Sequence, residues 1–311
     1  MKSIKNILFL LAILVVGCSK SGSNDSPDDQ NVIKDTFKEG VIEMGIYSGG
    51  ADLGVVIDQV NWSADNVREQ VENVLNNLSD EENPMKIIQK VSENNPWLAF
   101  SLILNMTNCD YYIKDQTVLG KARGMGWVMD NYHNRSADKG SVYIETLVQT
   151  DEISDADKRI FATYTPSEDL GSQLNAIDFS NFKREQQPKK ENVLNYLCDV
   201  TTYTAVNNVP GSQLNLYKIV VYTSSLFDKT INFTHPYYLP EDGGILRLDI
   251  YFENIPEPTL VMAPKSIIPR VVTSGELTTR TATPSTTIND PAWGFKALGL
   301  LMSGFSVLNE E

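Results

Sequence analysis

The amino-acid sequence predicts a mainly β protein of the α+β class, built on an antiparallel meander of about eleven strands. Short runs rich in β-branched and aromatic residues follow one another along most of the chain, and nearly all are joined by Gly, Pro, Asp or Asn. Helical periodicity is confined to residues 63–105 and to the C-terminus. Because parallel strand pairs need long crossovers, the short joins between the later runs indicate antiparallel pairing.

The N-terminus has the pattern of an export signal. Lys2 and Lys5 precede an apolar run from Ile7 to Gly17, which is too short to cross a bilayer, since that takes roughly 20 apolar residues. The run ends in "VVGC", which resembles the lipobox of bacterial lipoproteins, where cleavage precedes a cysteine that then carries diacylglycerol. We therefore expect residues 1–17 to be a lipoprotein signal peptide and Cys18 to be lipidated, so that the membrane is one partner. An ordinary secretory signal with an incidental cysteine is the alternative.

Residues 18–36 are predicted to be a flexible acidic tether, because Ser, Gly, Asn, Pro and Asp bury too little apolar surface to fold. The run "NDSPDD" resembles an acidic signal that, in one group of Gram-negative bacteria, sends lipoproteins to the outside of the outer membrane. The expected location is the cell envelope, as an outer-membrane lipoprotein that is either surface-exposed or faces the periplasm.

The net charge of the chain limits the classes of partner that it is expected to bind. A formal net charge of −14 repels phosphate backbones, so the sequence disfavours nucleic acid. The basic cluster at Lys183-Arg184 and Lys189-Lys190 lies in a polar stretch, which predicts a solvated loop; a patch for anionic lipid or another polyanion is the alternative.

Two cysteines remain besides Cys18, namely Cys109 and Cys198. An exported chain meets an oxidising compartment, in which two thiols can form a disulfide. The alternative is a pair of buried free thiols that behave as small apolar residues. The sequence does not constrain the Cα separation and leaves both open.

The first elements combine a hairpin with helices. Residues 40–48 read as a strand, and Gly49-Gly50 predicts a turn into a second strand over 52–60. Apolar residues at helical spacing predict a helix over 63–78 that is capped by Ser63. A second helical piece spans Met85 to Val91 and a third begins at Pro96, which completes a helical insert over residues 63–105.

Strands resume after the insert. They are predicted over 110–121, 126–133, 141–150, 159–165, 193–206, 213–225, 244–252, 259–262 and 267–273. Residues 276–311 then form a polar linker and a C-terminal apolar helix in this prediction.

Several stretches in this order resemble a family of uncharacterised Gram-negative bacterial lipoproteins with a fold like that of the lipoprotein carriers LolA and LolB. They are "FKEGVIEMGI", "YYIKDQTVLGKARGMGWVMDN", "NYLCDVTTYT", "IVVYTSS", "GGILRLDIYF" and "TLVMAPKSIIPRVV". The resemblance implies that residues 37–275 form a half-open antiparallel β-barrel of about 10 to 11 strands with covering helices. In such folds the concave face holds acyl chains. Where the family has Gly before its Tyr-x-Cys stretch, this chain has Asn195.

Catalytic and metal-binding motifs are missing from the sequence. His133 and His235 are its two histidines, and neither lies in a recognisable nucleophile, zinc or phosphate-binding motif. Asp130, His133, Ser136 and Asp138 come together in "MDNYHNRSADKG", which we interpret as a solvated hairpin tip. We expect no catalytic residue, no metal and no cofactor, and an envelope hydrolase is the least favoured function.

The stretch "NPWLAFSLILNM" is apolar on every side, which predicts burial on every side. One interpretation is a core segment. The other is a lid over a groove for an apolar or amphipathic ligand such as a lipid acyl chain, formed by Trp97, Phe100, Leu102, Leu104 and Met106. We favour a lipid-anchored, non-enzymatic protein with such a groove; the alternative is a structural or partner-binding lipoprotein with a filled barrel.

Overall fold

A computed structural model gives the fold over residues 32–149, 154–155, 157–170, 181–206, 216–234, 239, 241–252 and 256–305. The predicted signal peptide, Cys18, most of the predicted tether and His235 lie outside the described residues.

The described residues include fourteen strands, four α-helices and short 3-10 helices. The strands are β1 (Glu39–Ser48), β2 (Ala51–Asp52), β3 (Asn108–Lys114), β4 (Thr117–Gly124), β5 (Trp127–Asn134), β6 (Lys139–Thr146), β7 (Arg159–Tyr164), β8 (Phe182–Gln186), β9 (Glu191–Val193), β10 (Tyr196–Ala205), β11 (Lys218–Ser224), β12 (Gly244–Tyr251), β13 (Leu260–Pro269) and β14 (Thr286–Thr287). The helices are α1 (Val67–Asn76), α2 (Pro84–Ser92), α3 (Pro96–Leu104) and α4 (Pro291–Leu301).

The strands form one large sheet that does not close on itself. Its order is β14-β7-β6-β5-β4-β3-β1-β13-β12-β11-β10-β8, with β2 beside β1 and β9 beside β10. Every pair is antiparallel except the short parallel pair of β14 with β7. The predicted mainly β, antiparallel architecture is therefore confirmed. Two meanders, β3 to β7 and β10 to β13, are joined through β1.

Some predicted strand bounds are wrong. The single strand predicted over 110–121 is the hairpin of β3 and β4, which turns at Asp115 with a left-handed φ of 50°. The two strands predicted over 259–262 and 267–273 are one strand, β13. The second strand of the first hairpin is only the two residues of β2, after which Ile57–Gln59 form a 3-10 helix.

The helical insert is confirmed, with a later start. Helix α1 begins at Val67, and Ser63 is not its cap because the Ser63 hydroxyl donates to the carbonyl of Leu147 at 3.1 Å. Helices α2 and α3 each begin with proline after an asparagine whose side chain caps them. The Asn83 side chain accepts from two backbone N–H groups of α2, and that of Asn95 accepts from one of α3.

The two ends of the sheet carry different structures. At the amino-terminal end, where β1 begins, Ile33 bridges to Tyr196 and Phe37 bridges to Phe227. The rings of Phe37 and Phe227 stack at 4.7 Å, and Tyr196 meets Phe227 edge-on at 4.8 Å. At the other end, the helical end, the insert connects β2 to β3. The ten residues of β1 separate the two ends by roughly 30 Å.

The inner face of the sheet is the core. Met44 aligns with Cys109, Ala122, Met129, Ile144 and Ile160 on successive strands, and Ile46 aligns with Met262, Leu248 and Val221 on the other side. All of these side chains are buried. The 3-10 helix Lys229–Thr234, between β11 and β12, contacts β4, β5 and β12, so it lies across the space that the sheet partly encloses.

The segment after β13, residues 270–290, is a strap across the outer face. Arg280 anchors it: the Arg280 guanidinium donates to both carboxylate oxygens of Asp130, at 2.6 and 3.0 Å, and the Arg280 backbone N–H donates to the same carboxylate at 2.9 Å. Asp130 is only 2% exposed. Helix α4 then contacts β6 and β7, where Ser303 accepts from the Thr146 hydroxyl at 2.7 Å. The predicted polar linker is thus part of the same packing unit as the sheet.

We expect Arg280→Gln to lower the free energy of unfolding by about 2 to 3 kcal/mol, because a buried carboxylate that loses its hydrogen-bonding partner is costly. Urea denaturation measures the change. The control is Arg68→Gln, which breaks an exposed pair with Glu72 within α1 and should cost less than about 0.5 kcal/mol. Equal losses in the two variants would contradict the anchoring role of Arg280.

Candidate functional site

The predicted lid residues separate into two groups. Leu102, Leu104 and Met106 are 1%, 4% and 2% exposed and belong to the core, as the alternative interpretation of this stretch expected. Trp97 is 52% exposed, and Phe100, one helical turn later, is half-buried. Because residues three apart share a helix face, α3 buries one side and presents an aromatic side outward.

The helix next to α3 also carries an exposed apolar side chain. Helix α2 packs against α3 and carries Met85, which is 37% exposed. Ile103 of α3 is half-buried. We call the four side chains Met85, Trp97, Phe100 and Ile103 the insert surface. Of these four, Trp97 and Met85 are exposed, whereas Phe100 and Ile103 also pack against the core. An exposed Trp is typical of a site that another molecule covers.

A ligand groove on the inner face is not seen in the part of the chain that the structure describes. The inner rows of side chains are buried, and the described cavity of about 270 Å³ lies elsewhere. It is lined by Asp155, Arg159, Thr281, Ala282 and Thr283, between the first residue of β7 and the strap. None of the predicted lid residues lines it.

An ionic network holds the start of the insert on the sheet. Arg123 donates to Asp58 at 2.7 Å and to Asp110 at 2.7 Å. Asn108 donates to Asp58 at 2.9 Å and accepts from Lys265 at 2.9 Å. Burial opposes the charge of Arg123, but the hydrogen bonds to Asp58 and Asp110 outweigh it, so the pKa of Arg123 is raised. Because the charges of the network pair with one another, we assign it a structural role rather than a role in binding.

The four polar residues of the predicted hairpin tip do not converge. The turn between β5 and β6 is confirmed, but Asp130 and His133 lie within β5 and are buried, so their predicted solvation is wrong. Asp130 binds the strap on the outer face, whereas burial lowers the pKa of His133 to about 4 and keeps it neutral at pH 7. Ser136 donates to Asn134, and Asp138 accepts from the backbone of Ser167. No group of residues with metal-ligand character occurs within the described ranges.

The two cysteines are free and buried in this structure. Cys109 lies on β3 and Cys198 on β10, which are five strands apart in the sheet order, so the structure has two free thiols rather than a disulfide. Burial raises the pKa of both thiols, that of Cys198 to about 12. They act as small apolar residues of the core.

The predicted basic loop is part strand and part loop. Lys183 and Arg184 lie on β8, an edge strand, whereas Lys189 and Lys190 lie in an exposed loop before β9, as predicted. Each cation pairs with a carboxylate: Lys183 with Glu185, Arg184 with Glu241, Lys189 with Glu191 and Lys190 with Asp199. Charged side chains on an edge strand oppose pairing with another sheet. A polyanion patch is therefore not supported by this geometry.

Two polar clusters were missed by sequence reasoning. One is beside the core: Glu241, which is buried, accepts from Tyr203 at 2.6 Å and from Arg184 at 2.9 Å. The other is on the outer face of β12, where Arg247 binds Asp249 at 2.7 Å and lies 4.9 Å from the ring of Tyr222 on β11. The contacts that join different elements, those of Glu241 and of Tyr222, leave no local signal in the sequence.

Comparisons with known proteins leave the family open. No family model matches the chain, and no curated protein does. Among solved structures, one of PNGF-II in the C2 space group is similar at 9% identity with a TM-score of 0.32, over 60% of this chain and 30% of that chain. The matched region thus spans less than a third of that chain. No described helix is long and apolar enough to cross a membrane.

Buried thiols with raised pKa values are poorly nucleophilic, because the thiolate is the reactive form. In a Cys18→Ala chain at pH 8, we expect a maleimide to leave Cys109 and Cys198 unmodified in the folded protein and to modify both in denaturant without prior reduction. Ser274→Cys, at an exposed position of the strap, is the reactive control. Modification that requires reduction would show a disulfide instead.

Proposed function

We propose that this protein is a non-enzymatic, lipid-anchored lipoprotein of the Gram-negative outer membrane that binds a protein partner through the insert surface. The observation that carries the proposal is the half-exposed Trp97 on α3, set against an inner face whose described side chains are buried. A filled inner face leaves little room for a ligand, whereas an exposed aromatic anchor suits an interface.

The insert surface lies at the end of the sheet opposite the point where the proposed tether joins the fold. Ile33 is held at the amino-terminal end, where its backbone N–H donates to the carbonyl of Asn195 at 2.8 Å. The insert is at the opposite end of β1, about 30 Å further along the sheet. In the proposal the chain from Cys18 to Val32 spans at most roughly 50 Å. A tether of this length leaves the insert surface accessible to a protein partner.

The finer architecture in this proposal is a LolA-like half-barrel. A second candidate function, the binding of an acyl chain or similar apolar ligand, is favoured by the apolar character of α3 and by the exposure of Trp97 on that helix. It requires α2 and α3 to move away from the core, since Leu98 and Leu102 pack into it.

The anchor is tested by Cys18→Ala. We expect the wild-type chain to incorporate radiolabelled palmitate and to partition with membranes, and the variant to do neither, because acyl chains are the feature that holds it there. Ser21→Ala is the matched control and should behave as wild type. Continued membrane association of a processed Cys18→Ala chain would contradict lipid anchoring.

The insert surface is tested by placing a photoreactive phenylalanine analogue at Trp97 in living cells. We expect irradiation to yield a discrete protein adduct, because an exposed aromatic anchor lies at the centre of an interface. The control places the analogue at Phe295, an exposed aromatic residue on α4. Lipid adducts alone at position 97 would support the second candidate, and the absence of any adduct there would contradict both.

A further inference from the structure

The cavity beside β7 has the features of a ligand site that is separate from the insert surface. One wall is the first residue of β7, Arg159, with Asp155 just before it, and the other wall is residues 281–283 of the strap. Its volume of about 270 Å³ is smaller than a drug-sized pocket, so a ligand would be small.

Arg159 is unusual among the arginines of this chain. The other seven each form an ion pair with a carboxylate, at Arg68, Arg123, Arg135, Arg184, Arg247, Arg270 and Arg280. Arg159 forms none with the described residues, although the chain carries a net charge of −14 and carboxylates are plentiful. The N–H donors of its exposed guanidinium are therefore available to a planar anion. A guanidinium binds such an anion best through two parallel hydrogen bonds.

The neighbouring carboxylate is bound mainly by another cation. Asp155 pairs with Lys158 at 2.9 Å, and the pKa of Asp155 is lowered chiefly by Lys158 and to a smaller extent by the charge of Arg159. Glu145, which faces Arg159 across the β6–β7 pair, accepts from the Tyr143 hydroxyl at 2.8 Å and lies 3.7 Å from Arg280. Both of these acids thus already have another cation as a partner.

The strap wall is held in place on both sides of the cavity. Arg280 is bound to Asp130, and residues 286–287 pair with β7 as β14. Between these two anchors Thr281 and Thr283 contribute hydroxyl groups, which can donate to or accept from a hydroxylated ligand. A wall that is fixed before binding reduces the ordering cost of holding a small molecule.

We propose that this cavity binds a small carboxylate that also carries hydroxyl groups, of the acidic-monosaccharide class. The guanidinium of Arg159 takes the carboxylate, and the hydroxyl groups of Thr281 and Thr283, with the free lone pairs of Asp155, take the ligand hydroxyls. The site does not depend on the proposed partner surface, because it shares no residue with it.

The test uses the purified full-length protein with D-glucuronate, inorganic phosphate and D-glucose as probes in titration calorimetry. We expect saturable binding of glucuronate, weaker binding of phosphate and none of glucose. Arg159→Gln should weaken glucuronate binding by at least about tenfold, which is ~1.4 kcal/mol. Arg159→Lys should restore part of it, because the charge is kept and the fork is lost.

Arg68→Gln, on the exposed surface of α1, is the matched control and should bind glucuronate as the wild type does. Thermal unfolding of each variant checks that the fold is intact. Glucuronate that does not bind the wild type at about 10 mM, or binds Arg159→Gln equally well, would overturn the proposal. Phosphate that binds as tightly as glucuronate would overturn the sugar-acid assignment in favour of a simple anion site.

Discussion

The double pairing of β1 is the constraint on which the rest of the structure depends. The strand pairs with β3 on one side and with β13 on the other, so the first and last long strands of the fold meet at its centre. Without β1, each meander would expose an edge whose backbone groups lack partners. The pairing also sets the register of both halves, because Met44 and Ile46 lead the inner rows that cross them. A bulge between Glu43 and Met44 adjusts this register against β13.

The outer face is organised by ion pairs rather than by a second layer of strands. The strap crosses this face, and its own Val272 is fully buried, as is Leu119 of β4, although neither belongs to the inner core. Arg280 fixes it at Asp130, and Lys114 binds both Glu39 and the carbonyl of Val272 at 3.0 Å. Buried carboxylates with bidentate partners give such a segment one position, since each alternative position leaves a charge unpaired.

Local features of the sequence predicted much of this fold, but contacts between residues far apart in the sequence could not be predicted. Proline after asparagine marked the starts of α2 and α3, and the turn residues separated most strands. Ser63 was wrongly predicted as a cap because its hydroxyl binds Leu147, which is 84 residues away. Strand β8 was predicted to be a loop because edge strands and loops both carry solvent-exposed charged side chains. The partner of Asp130 is 150 residues distant, so no spacing rule could identify it. Alternation in β4 likewise did not reveal that Leu119 is fully buried.

The same long-range packing decides where this molecule can act. One face of the sheet is filled by its own side chains and by the 3-10 helix Lys229–Thr234, and the strap crosses the other face. The side chains that remain accessible therefore lie at the ends and edges of the sheet. The predicted lid residues show this within a single helix, because Leu102 is buried in the core whereas Trp97 is exposed. At the β7 edge, the strap that buries Asp130 also places Thr281 and Thr283 beside Arg159, which has no ion-pair partner among the described residues. The two proposed sites thus share one feature: each lies on a segment that covers the sheet, at side chains that this segment does not use for its own packing.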